Sequence, residues 1–103
     1  MISEINESDF KTKVLESKVP VLVDFYATWC GPCKIQAEVL NRLAAKNIGN
    51  TTFVKIDVDK NEEFASSLGI QAVPTLILYK DGEEYLRVNG ARNEEEIKRL
   101  LTL

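Results

Sequence analysis

The sequence predicts an α/β fold, a mixed central β-sheet flanked by helices on both faces, with its elements in the order βαβαβαββα. Three observations predict it. The nearly continuous apolar run Val19 to Ala27 reads as a strand covered on both faces, and Phe53 to Val58 as a second buried strand. The segment between them carries apolar residues at helical spacing, so the chain crosses over and returns parallel. Further on, Asp81-Gly82 lies between two more strand-like runs and marks a hairpin, which adds an antiparallel pair.

The elements follow in order. Ile2 to Ile5 is a weak strand candidate. Phe10, Val14 and Leu15 then follow helical spacing after two cap candidates, Asn6 and Ser8. After the strand Val19 to Ala27, Val39, Leu40, Leu43 and Ala44 mark the inward face of a helix that runs to about Asn47. Beyond the second buried strand, Asn61 to Leu68 reads as a short helix, stopped at Gly69 in the glycine position past a helix end. Val73 to Tyr79 and Glu84 to Val88 form the hairpin strands around "KDGE". Glu94 to Leu101 closes the chain as an amphipathic helix with Ile97, Leu100 and Leu101 inward.

The 103 residues are expected to form one domain, residues 1–103, with no repeat or linker. A chain of this length buries roughly two-thirds of its unfolded surface and needs no cross-link to fold. The formal net charge of −3 excludes an electrostatic attraction to nucleic acid or anionic lipid. The acidic run Glu94-Glu95-Glu96 reads as a solvated helix face. The longest apolar run, interrupted by Pro20 and Asp24, is too short to span a membrane. The first residues show no basic stretch followed by an apolar run, so the expectation is a cytoplasmic protein, and a monomer. In that compartment a Cys-x-x-Cys is more often catalytic or metal-binding than a structural disulfide.

Both cysteines and the only tryptophan stand in "ATWCGPCK", Ala27 to Lys34. Proline at a first helical position loses no hydrogen bond, so Pro32 predicts a helix start at about Gly31-Pro32, with Cys30 at or just before the N-cap. A Cys30 thiolate there faces unpaired N–H groups and the positive end of the helix dipole, which lowers its pKa. Residues three apart at a helix start lie about 5–6 Å apart, within reach of a disulfide. Cys33, one turn in, is the less exposed thiol. The pair is a poor structural staple, because its loop is too short to constrain the unfolded chain much. It is a poor zinc site too, because the chain has two thiols and no histidine. A working dithiol fits best. Cys30 is then the nucleophile toward a substrate disulfide and Cys33 the resolving thiol; Gly31 leaves room for substrate and Pro32 stiffens the turn.

"WCGPCK" resembles the active site of the thioredoxin family, and "VLVDFYATWCGPCK", "FVKIDVDKN", "VPTLILYKDGE" and "NGA" resemble its successive signatures. The likeness covers essentially the whole chain, from Phe10 to Leu101, and implies the thioredoxin fold. By that resemblance Asp24, the one charged residue of an apolar strand, relays a proton to or from Cys33, and Lys55 is its partner. The bland alternatives are a hydrogen-bonded structural aspartate and a snorkelling strand lysine. The resemblance also implies a cis bond between Val73 and Pro74, with the Val73 backbone pairing an extended substrate segment as an added strand. By the same resemblance Trp29, Gly90 and Ala91 complete the substrate rim; the bland alternatives are a core tryptophan and a turn glycine.

Two positions depart from the family pattern. Glu38 replaces a helix-kinking proline, which predicts a less bent helix and a favourable i,i+4 pair with Arg42 worth a few tenths of a kcal/mol. Tyr26 replaces a common tryptophan. The Gly-Pro dipeptide resembles reducing members of the family, whose characteristic potential is about −270 mV against about −120 mV for a dedicated oxidant. The resemblance therefore implies a general protein disulfide reductase that needs no cofactor beyond the Cys30–Cys33 disulfide. Its implied partners are a flavin-dependent thioredoxin reductase and disulfide-containing proteins. The competing readings are a redox-independent binding or assembly subunit and a dedicated donor to one enzyme.

Overall fold

Alternation along the strands decides how this chain folds into layers. The computed structural model describes residues 2–103. Its elements are β1 (Ser3–Glu4), α1 (Glu7–Phe10, continuing as wider turns over Lys11–Leu15), β2 (Val21–Tyr26), α2 (Gly31–Ala45), a 3-10 turn (Ile48–Asn50), β3 (Thr52–Asp57), α3 (Glu62–Ser67), β4 (Thr75–Lys80), β5 (Glu83–Asn89) and α4 (Glu94–Leu101). The sheet order is β1-β3-β2-β4-β5. β1 and β2 flank β3 in parallel, β4 runs antiparallel to β2, and β5 pairs antiparallel to β4. The mixed sheet and the element order are those expected.

Successive strand side chains point to opposite faces. Val21, Val23 and Phe25 of β2 therefore pack with Phe10 and Val14, with Phe64 and Leu68 closing that side. Leu22 packs on the other face against Val39, Leu40 and Leu43 of α2 and Ile97 and Leu101 of α4. Each fully buried leucine contributes about 2 kcal/mol through the water it excludes. α1 and α3 thus cover one face, α2 and α4 the other. Asp24, two residues on from Leu22, shares the α2 face.

Element ends shift by a residue or two from the expected bounds, as helix and strand ends do. Four differences have specific causes. Ser8 lies inside α1, and Asn6 is the cap; its N–H donates to Asp9 Oδ2 at 3.2 Å. Leu15 is exposed because the chain widens there, with the Glu16 N–H bonding back five residues to the Lys11 carbonyl at 2.9 Å. Leu100 is only half-buried, since Ile97 and Leu101 already fill the seam against the sheet. Arg42 does not pair with Glu38; its Nε reaches Glu94 Oε1 on α4 at 3.4 Å. That carboxylate also holds Lys46 at 2.8 Å and Lys98 at 3.4 Å, so the cations converge on one acceptor.

The hairpin turn requires its glycine. Gly82 has φ +80°, and a Cβ there would stand 2.9 Å from the Leu15 carbonyl oxygen. At the far end, α4 starts in a reciprocal cap: Glu96 N–H donates to Asn93 Oδ1 at 2.9 Å, and Asn93 N–H to Glu96 Oε1 at 3.0 Å. This fixes where the loop from β5 ends.

Candidate active site

β2 ends at Tyr26, and four residues later Cys30 caps α2 in extended backbone conformation, with Pro32 in the first turn. The Cys33 N–H donates to Cys30 Sγ at 3.2 Å. This is the contact by which a helix start stabilises negative charge on sulfur. Cys30 and Cys33 form a disulfide with Cα atoms 5.2 Å apart. Cys33 is the more buried of two buried cysteines, and both cluster with Ala27 beside Tyr26, Val58 and Val73. A Cβ at Gly31 would meet open space.

The Val73–Pro74 peptide is cis. β4 accordingly starts at Thr75 rather than Val73, for Pro74 has no N–H to give a ladder. The Val73 carbonyl oxygen lies 3.7 Å from Cys30 Sγ. Gly90, at φ +86°, donates its N–H to the Pro74 carbonyl at 2.7 Å, which brings the β5–α4 loop beside the same sulfur-bearing end. Trp29 is 70% exposed, which removes the core reading. Its Nε1–H donates to Asp59 Oδ2 at 2.9 Å, which holds the ring beside a groove of about 240 Å³ shared with Val58, Ile70 and Val73.

Behind the cysteines, Asp24 and Lys55 are register partners on β2 and β3. Both line a cavity of about 320 Å³ with Tyr26, Ala27 and Cys33. Asp24 is buried, and its Oδ1 has no hydrogen-bond partner among the described residues. Burial raises its pKa from 3.8 to about 7, while the Lys55 charge pulls it back down. The Lys55 Nζ sits 5.4 Å from the centre of the Tyr26 ring, whose hydroxyl donates to Glu4 Oε1 at 2.8 Å.

The structure thus brings Val73 beside the dithiol, bonds Gly90 to Pro74, and sets Asp24 and Lys55 on a cavity that Cys33 also lines, while Ala91 follows Gly90 as an exposed loop residue. Two residues escaped sequence reasoning. Asp59 orients Trp29, and no pattern marked it among the acidic surface residues. Gln36 is fully buried on α2, and the polar residue at the i+3 position from Cys33 on an inward face was the signal. Among the described residues no group of three His, Cys, Asp or Glu side chains is placed to hold a metal ion, and no helix is long and apolar enough to cross a membrane.

Comparison with known proteins agrees with this geometry. The family model described as Thioredoxin matches residues 1–102. The chain is 44% identical over 99 residues to a thioredoxin of Mycobacterium tuberculosis, an alignment covering 96% of this chain and 85% of the relative. It is 44% identical over 89 residues to thioredoxin 1 of a Nostoc species, covering 86% of this chain and 83% of the relative. A bifunctional thioredoxin reductase/thioredoxin of Mycobacterium leprae is 41% identical over 99 residues, covering 96% of this chain and 22% of that longer protein. With a Cys-Gly-Pro-Cys disulfide at a helix start on a five-stranded mixed sheet, the chain belongs to the thioredoxin family and is a protein-disulfide reductase, a thiol–disulfide oxidoreductase.

Proposed function

We propose that the chain is a single-domain, monomeric general reductant of protein disulfides in the cytoplasm, with Cys30 as nucleophile and Cys33 as resolving thiol. The observation that carries the division of roles is the 3.2 Å bond from the Cys33 N–H to Cys30 Sγ. It favours the thiolate at Cys30, whereas Cys33 lies deeper against Ala27.

The Cys30 thiolate attacks one sulfur of the substrate disulfide, forming a Cys30–substrate bond as the substrate S–S bond breaks and its first thiolate leaves. The Cys33 thiolate then attacks Cys30 Sγ, breaks the mixed disulfide and releases the second substrate thiolate. Two electrons and two protons pass from the protein dithiol to the substrate. Asp24 takes the Cys33 proton, a reading supported by the cavity that both residues line and by its raised pKa, and the Lys55 charge lowers its basicity. Trp29, Val73, Pro74, Gly90 and Ala91 form the rim on which an extended substrate segment lies, the Val73 backbone serving as the strand edge.

A reducing compartment is supported by cysteine usage: both cysteines serve one site and none is left as a staple. Charged Glu83, Glu84 and Arg87 along the edge strand β5 oppose edge-to-edge pairing and support the monomer. Electrons return through a thioredoxin reductase, a reading supported by the fused Mycobacterium leprae relative. No cofactor is required, because the disulfide itself carries the electrons. The test is reduction of insulin by the reduced protein: wild type turns over, and Cys30→Ser falls to background. Turnover retained by Cys30→Ser would reverse the assignment. Biological activity surviving replacement of both cysteines by serine would instead favour a binding role.

A further inference from the structure

Gln36 stands one turn beyond Cys33 on the buried face of α2, with no exposed surface. Its side chain meets the backbone of Arg92, in the loop that carries the rim. Gln36 Oε1 accepts from the Arg92 N–H at 2.7 Å, and Gln36 Nε2–H donates to the Arg92 carbonyl at 3.1 Å. The amide thus satisfies both backbone groups of one residue, as a neighbouring strand would. Packing alone does not call for this: an unpaired buried amide is costly, and an apolar side chain fills the same space. What the amide adds is position, because a two-point bond fixes orientation as well as distance.

The other end of the same loop is also held. Gly90 N–H bonds the Pro74 carbonyl at 2.7 Å, and Ala91 is exposed between the two anchors. The segment Gly90 to Arg92 is therefore a strap fastened to the cis-proline loop at one end and to the cysteine-bearing helix at the other. We infer that Gln36 is a positioning residue for protein substrates: it holds Ala91 and Gly90 at a set distance from the dithiol, so that an extended segment lying on the rim presents its sulfur to Cys30. This inference rests on the proposed rim.

The test compares Gln36→Met, which removes both bonds at similar volume, and Gln36→Glu, which when ionised keeps the bond from the Arg92 N–H and loses the other. Ala91→Glu serves as a direct probe of the rim. KM and kcat for insulin reduction are measured beside the second-order rate with a small aromatic disulfide, which is too short to need the rim. Gln36→Met is expected to raise the KM for insulin about fivefold, with the small-disulfide rate within about twofold of wild type. Amide hydrogen exchange at Arg92 should quicken in Gln36→Met, which removes its acceptor, and stay near wild type in Gln36→Glu, which keeps it, so the pair of variants reads the clamp. An unchanged insulin KM in both Gln36 variants, with Ala91→Glu impaired, overturns the inference and leaves the rim intact. An unchanged KM in all three variants removes the rim reading itself. Equal losses with insulin and the small disulfide would make Gln36 a residue of stability or thiol reactivity, and overturn its positioning role.

Discussion

Asp24 and Lys55 face each other in register across two adjacent parallel strands, on the side of the sheet that carries Cys33. The pair is unequal. Asp24 is buried with one carboxylate oxygen unpartnered, whereas Lys55 is half-exposed against the Tyr26 ring. Desolvation therefore outweighs attraction, and Asp24 titrates at about 7 rather than near 4.

This has a consequence for stability. The folded pKa lies above the unfolded one, so between 3.8 and about 7 the native state holds a proton that the unfolded chain has released. Stability falls as pH rises through that window and is flat above it. A shift from 3.8 to about 7 corresponds to about 4 kcal/mol. Asp24→Asn should therefore be more stable than wild type at pH 8 by a large part of that amount, with the gap closing toward pH 4. Urea unfolding across the range checks it; parallel curves for the two proteins would show that Asp24 is not buried as described.

The Lys55 charge pulls the Asp24 pKa down. Lys55→Met should move the titration further upward, read from the Asp24 carboxyl carbon by NMR. If Asp24 takes the Cys33 proton, the pH optimum of insulin reduction should move in the same direction. An unmoved titration would mean that solvent, not Lys55, screens the carboxylate.

Cys33→Ser keeps the nucleophile and removes the resolving thiol. Covalent complexes with substrate should accumulate, visible as added mass that reductant removes, and multiple turnover should fall to background. A variant that releases substrate normally would assign resolution to something other than Cys33.

Glu94 joins α4 to α2 through Lys46 and Arg42. The Lys46 bond, with those from Arg42 and Lys98, holds its carboxyl down to about 2, below the usual 4.5. A depressed pKa stabilises above the unfolded value, and the contribution is lost as pH falls from 4.5 toward 2. Glu94→Gln should lower the melting temperature slightly at neutral pH, less in high salt, and not at all near pH 2. An equal loss at neutral pH and near pH 2 would point to packing rather than charge.

The Gly-Pro pair between the cysteines sets the expectation for direction of electron flow. Equilibration with a thiol buffer, followed by mass analysis of alkylated species, should give a potential near −270 mV. A value above roughly −180 mV would place the dithiol among isomerases and oxidases.

The sequence by itself determined the element order, the helix start under Cys30 and the hairpin at Gly82, because each is marked within a few neighbouring residues. Apolar periodicity, a proline at a helix start and a glycine in a turn are local signals, and local energetics obey them. Only the tertiary structure decided what distant segments do to one another. Arg42 had a local partner in Glu38, yet its charge went to Glu94, 52 residues away, where two lysines also converge. Trp29 had the composition of a core residue, and its bond to Asp59 keeps the ring at the surface. Gln36 meets Arg92 56 residues along the chain, and neither residue alone announces the clamp. The state of Asp24 has the same origin. Its strand position is legible, but the loss of water that raises its pKa is produced by the packing of α2 over the sheet, which no local pattern encodes.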